Sequence, residues 1–217
     1  MKNKKINPYL AISGILVPIF YLGLVIILGL LEPGYSHMTK MMSILGGVGG
    51  IRGLAFNIGI SIVGILIIAF GIGLHRNINK GKGSKIGPGL IILGGMGLIG
   101  ACIFHCDLGC ANFIIEKNFI GTMHVLTAFI GGLGLGISPF FIFARLRKDP
   151  QWKNYKWFTL IMGILTNIPA VAFWIMIFTI GAPKEIGGMI QRLSLIFPLI
   201  WIGMMSYRML QLSLNKK

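Results

Sequence analysis

Long apolar stretches alternate with short polar ones along the whole chain. Six apolar runs stand out: Tyr9–Leu31, Leu54–Leu74, Ile86–Phe104, Phe119–Ala144, Trp157–Ile180 and Met189–Leu210. Each is close to the about 20 residues that a helix needs to cross a hydrocarbon core of about 30 Å. Inside a bilayer the backbone must satisfy its own hydrogen bonds, so runs of this length are helices. The pattern therefore predicts an all-α fold: a six-helix transmembrane bundle filling residues 1–217 as a single integral membrane domain. The longest polar connection runs from Glu32 to Gly53. Within it, Ser36–Leu45 has the apolar spacing of a short interfacial helix, with Met38, Met41, Met42 and Leu45 expected towards lipid. Gly46–Gly50 then breaks it.

Composition agrees. The chain of 217 residues is 55% hydrophobic and only 12% charged, with a mean hydropathy of +0.83. Those values exclude a disordered chain and a soluble globular domain. The formal charge of +15 would suggest nucleic acid in a soluble protein, but the placement of the charges argues against it. Fifteen of the 20 basic residues fall before the first run, between the second and third, between the fourth and fifth, and at or after the end of the sixth. The other five are Lys40, Arg52, Lys117, Lys184 and Arg192. This bias predicts a multi-pass protein of the cell membrane with both termini cytoplasmic. Its basic loops would lie against anionic lipid, and no nucleic-acid partner is expected.

Glycine supplies 32 residues. The pairs Gly97/Ala101, Gly132/Gly136 and Gly134/Ser138 have the spacing that lets membrane helices approach closely, which predicts a tight contact between the third and fourth spans. Pro18, Pro139, Pro169 and Pro198 fall inside spans and should kink them. Asn167, near mid-membrane, is expected to bond a neighbouring helix or the backbone freed by Pro169. Trp152, Tyr155 and Trp157 are expected to form an aromatic belt at the cytoplasmic interface.

With this topology most of the unusual polar residues gather at the outer face. Polar groups in a membrane are costly, and so mark candidate sites. The candidate ligand-binding set is His37, Ser43, Asn57, Asp107, His124, Gln191 and Arg192. His37, His105, Asp107 and His124 would give three nitrogens and one oxygen, a donor set suited to zinc. A zinc-bound water could hydrolyse an ester or amide at the membrane surface. The competing reading is a hydrogen-bonded cap that fixes helix ends. Cys106 and Cys110 lie at an oxidising surface and form a candidate disulfide, while the deeper Cys102 reads as a packing residue.

Four short motifs carry a resemblance. They are Pro33-Gly34-Tyr35-Ser36-His37 followed by Ser43-Ile44-Leu45-Gly46, then His105-Cys106-Asp107-Leu108-Gly109-Cys110, Gly121-Thr122-Met123-His124, and Gly187-Gly188-Met189-Ile190-Gln191-Arg192-Leu193. In this order they resemble the prokaryotic multi-pass membrane family called domain of unknown function 998. The resemblance implies that His37, Ser43, Asp107, His124 and Arg192 form a shared outer-face set. It implies no activity. His105 departs from the family pattern, where proline is more usual. A fainter likeness is to membrane hydrolases of the alkaline-ceramidase and progestin/adipoQ-receptor type, which hold zinc with a serine, an aspartate and three histidines. Here the fifth and sixth runs contain no histidine. Two functions are therefore expected: binding of a membrane lipid or small polar ligand in an outward-facing pocket, or a metal-dependent hydrolase acting on a lipid or headgroup.

Overall fold

The computed structural model describes residues 7–78, 81, 84–106, 119–180 and 185–214. Six of its helices are long and apolar enough to cross a membrane. They are α1 (Pro8–Leu31), α3 (Gly50–Asn77), α4 (Ile86–Ile103), α5 (Phe119–Leu146), α6 (Lys156–Thr179) and α7 (Gly187–Leu214). A single turn, α2 (Ile44–Gly47), lies between α1 and α3. No strand occurs among the described residues. The chain is a multi-pass membrane protein.

The spans match the apolar runs closely, but α3 and α7 extend past them at both ends. At 28 residues each, these two are about 42 Å long, so they project beyond a core of about 30 Å. The added turns are polar, because a helix continues until its hydrogen bonds are intercepted, not until its side chains turn polar. Glu32 and Arg52 show what lies beyond the core. They form an ion pair of 3.0 Å between the end of α1 and the start of α3.

The helices close into a ring. Each touches the next in the order α1, α3, α4, α5, α6, α7, and α7 returns to α1. Helix α3 also meets α7 across the middle. Inward-facing residues such as Val17, Val63, Ile67, Phe70, Trp201 and Met205 are almost completely buried. Large apolar side chains such as Ile19, Ile51 and Ile168 are exposed on the outside. Apolar residues on every face are what a helix in lipid requires.

Helices α4 and α5 approach most closely where the small residues predict. A Cβ added at Gly97 would overlap the backbone of Gly131, and one at Gly134 would lie 2.6 Å from the Leu90 carbonyl oxygen. The other predicted pair on α5 faces elsewhere: Gly132 lies against Trp174 and Gly136 against Asn167, both on α6. Helix α5 thus carries two small-residue faces, one for each neighbour. Proline removes the hydrogen bond to the carbonyl four residues earlier. At Pro139 the freed Leu135 carbonyl accepts from the Ser138 hydroxyl at 3.1 Å. Asn167 donates to Gly136 of α5 and to Gly163 of its own helix, each at 2.7 Å. It therefore ties two helices together and leaves the Leu165 carbonyl, the one freed by Pro169, to others.

Two expectations need correction. Between Ser36 and Leu45 the helix is confined to the single turn of α2, and Met41, Met42 and Leu45 are buried in the bundle; only Met38 is exposed. The hydrogen bonds to Gln191 and Arg192 draw the loop over the ring, and lipid offers these side chains no hydrophobic advantage over packing in the bundle. Trp152 is also no belt residue. It is fully buried in the core at the opposite end, while Trp157 is exposed.

Candidate functional site

At the end that carries residues 32–49, the loop is fastened to α7 by a run of four consecutive carbonyls. Met38 and Thr39 accept from the backbone N–H groups of Met189 (2.8 Å) and Gly188 (3.3 Å). These are first-turn groups of α7, which have no partner within the helix. The flanking carbonyls, His37 and Lys40, accept from Arg192 Nη1 at 2.6 and 3.1 Å. The same nitrogen bonds Gly188 of α7 at 2.9 Å. The Met42 backbone N–H donates to Gln191 Oε1 at 2.6 Å. Asn57 of α3 holds the far side of the loop, donating to Gly46 at 2.9 Å.

Tyr35 and His37 complete this latch. Arg192 Nη2 donates to the Tyr35 hydroxyl at 2.7 Å and to His37 Nδ1 at 3.0 Å. A guanidinium cannot accept, so His37 Nδ1 must be unprotonated. Burial, and then the neighbouring guanidinium, lower the His37 pKa from its ordinary value. Burial raises the Tyr35 pKa, although Arg192 pulls it back. Tyr35 therefore keeps its proton and donates to the Lys40 and Met41 carbonyls at 3.4 and 3.3 Å. The two rings meet edge-on, 5.2 Å apart. Below them, the Tyr21 hydroxyl donates to Met42 Sδ at 3.3 Å.

His124 belongs to a different place. Its Nδ1 lies 2.8 Å from the Ala101 carbonyl and 2.9 Å from that of Phe104, the last turn of α4. With two carbonyls facing it, Nδ1 carries the proton. The ring caps α4, where helix carbonyls lack internal partners. His105 is exposed and close enough to His124 to interact electrostatically. Ser43 sits at the start of α2. The structure thus joins His37, Gln191 and Arg192 in one cluster, with Asn57 across the loop, and puts His124 elsewhere, at the end of α4. Asp107 and Cys110 lie outside the described residues. Cys106 is disulfide-bonded and Cys102 is a free, buried thiol. Among the described residues, no group of three His, Cys, Asp or Glu side chains could hold a metal ion.

An open groove lies between α5 and α6, with a volume of about 420 Å³. That size falls within the range of small-ligand pockets. Its walls include Phe129, Gly132 and Leu133 from α5, and Asn167, Val171, Trp174 and Phe178 from α6. Among the described residues, nothing charged lines it. Phe129 packs edge-on against Trp174 (5.0 Å) and Phe178 (5.5 Å), and Trp174 stacks on Phe178 at 5.7 Å. The groove runs from Asn167 to Thr179, the last residue of α6. That is about 18 Å along the helix, from mid-membrane to the first-loop end. The sequence reading missed both the groove and Tyr35. Trp174 and Phe178 of α6 stand one turn apart on the same helix face, but so would any lipid-facing stripe. Tyr35 stands within the Pro33–His37 motif, where histidine drew the attention.

The four motifs place His37, Gln191, Arg192 and His124 at the positions that hold the loop and cap α4. A family model described as "Protein of unknown function (DUF998)" matches residues 15–208. The chain belongs to that family. The matched DUF998 segment runs from within α1 to within α7 and includes both the latch and the groove. No match was found among curated proteins or among solved structures.

Proposed function

We propose that this protein binds a membrane lipid in the groove between α5 and α6, entered sideways from the bilayer. The observation that carries the reading is the groove itself: uncharged, walled by aromatic rings, open to the membrane and closed at its deep end by Asn167. The bias of basic residues supports cytoplasmic termini, and on that topology the groove opens in the outer half of the membrane. On this reading His37, Asn57, Gln191 and Arg192 hold the first loop down as a fixed cover, and their hydrogen bonds are spent on that task. This reading puts the ligand in an apolar groove beside the loop and not among the polar residues beneath it.

The hydrolase alternative finds no group of three metal-binding side chains among the described residues. It would need its remaining ligands from outside them.

The test is lipid retention by the detergent-purified chain, read by mass spectrometry of the intact complex. At Gly132 a new side chain would point into the groove, where its nearest neighbour is Trp174 Nε1, 3.3 Å from the added Cβ. Gly132→Leu should therefore fold and lose the lipid. Wild-type retention in that variant would refute the groove as the site.

A further inference from the structure

The groove contains one hydrogen-bond donor with no partner among the described residues. Trp174 Nε1 lies 3.3 Å from where a Cβ on Gly132 would stand, on the wall of the groove, and no hydrogen bond joins it to another described residue. The indole is not free to turn away. Phe129, Phe173 and Phe178 pack against it at ring distances of 5.0, 5.4 and 5.7 Å. An unpaired N–H facing hydrocarbon costs free energy that no water is there to offset. A donor fixed in place and aimed into a lipid groove calls for an acceptor on the ligand.

Its depth says which acceptor. Trp174 lies five residues before the end of α6, about 7.5 Å along the axis. Helix α6 has 24 residues and is about 36 Å long, so it overshoots a core of about 30 Å by about 3 Å at each end. The Trp174 backbone therefore sits about 4–5 Å inside the hydrocarbon boundary. The carbonyls that join acyl chains to a lipid backbone lie at that boundary, directly above. Below Trp174 the walls are apolar down to Asn167, which suits the chain.

We propose that the ligand is an acyl-linked lipid whose carbonyl accepts a hydrogen bond from Trp174 Nε1, with its chain running down the groove towards Asn167. This rests on the groove being the lipid site. An ether-linked lipid has the same chain without the carbonyl, and should bind less well.

The full-length protein is stripped with detergent and offered an equal mixture of diacyl and dialkyl phosphatidylcholine of matched chain length. Bound lipid is read by mass spectrometry of the intact complex. One hydrogen bond in a dry site is worth about 1–1.5 kcal/mol, so wild type should favour the diacyl lipid about five- to tenfold. Trp174→Phe keeps a ring in the aromatic cluster and removes the donor. It should bind both lipids equally, at the level wild type shows for the dialkyl form. A wild-type ratio near one, or a preference that survives in Trp174→Phe, would overturn the proposal while leaving the groove as a site. If Gly132→Leu binds both lipids as wild type does, the groove reading itself fails.

Discussion

Arg192 makes the sharpest prediction. Its guanidinium bonds four groups of the first loop: the His37 and Lys40 carbonyls, the Tyr35 hydroxyl and His37 Nδ1. All are part-buried, so each bond is worth about 1 kcal/mol net of competing water. Arg192→Ala should therefore weaken the latch by about 3–4 kcal/mol. The amides of Met42, Gly188 and Met189 report it directly, because each donates across the junction between loop and α7. Their hydrogen exchange in detergent or nanodiscs should accelerate by at least about a hundredfold, two tenfold steps of 1.4 kcal/mol each. Mid-helix amides of α3 should not change. Arg192→Lys keeps the charge but loses the planar fork, so it can reach the carbonyls and not also Tyr35 and His37. It should fall between, with acceleration of about tenfold. Unchanged exchange at all three amides in Arg192→Ala would refute the latch.

Gln191→Ala removes one acceptor, for the Met42 amide, and should accelerate exchange at that position by about fivefold to tenfold. His37 is held neutral in the closed loop, with its pKa lowered by burial and then by Arg192. The opened loop therefore binds more protons, so latch stability is full above about pH 6.5 and declines as pH falls below it. Loop exchange, corrected for its intrinsic pH dependence, should rise below that pH in wild type and stay flat in His37→Gln. Gly97→Val places branched carbons where Gly131 packs and should abolish a monodisperse product in size-exclusion chromatography, whereas Gly132→Val should not. His124→Phe leaves the Ala101 and Phe104 carbonyls without their donor, which should cost about 1–3 kcal/mol and lower the thermal unfolding temperature.

The six spans were legible because membrane burial imposes one dominant rule on the backbone, and apolar length reports it. The α4–α5 contact was legible for a similar reason: only glycine-sized residues permit it, so Gly97 and Gly134 mark it. The first loop was not. Met41, Met42 and Leu45 fit a lipid-facing stripe and a buried one equally well, and the choice depends on Arg192 and Gln191, about 150 residues away in the chain. His37, Gln191 and Arg192 meet at one end, but grouping by depth cannot tell side chains that await a ligand from side chains that saturate one another. His124 shows the same limit. Its depth matched the expectation, and its Nδ1 turned out to cap α4. The groove was invisible because Phe129, Gly132 and Trp174 come from two helices whose separation no spacing encodes.

A lipid in the space between α5 and α6 is the central claim to test. The direct measurement is an experimental density map of the protein in lipid nanodiscs. The prediction is an elongated density in the groove, with its upper end against Trp174 Nε1 and its lower end at Asn167, and the first loop closed on Arg192. A groove collapsed by contact between α5 and α6, or a ligand density beneath residues 37–42 with Arg192 turned to meet it, would contradict it.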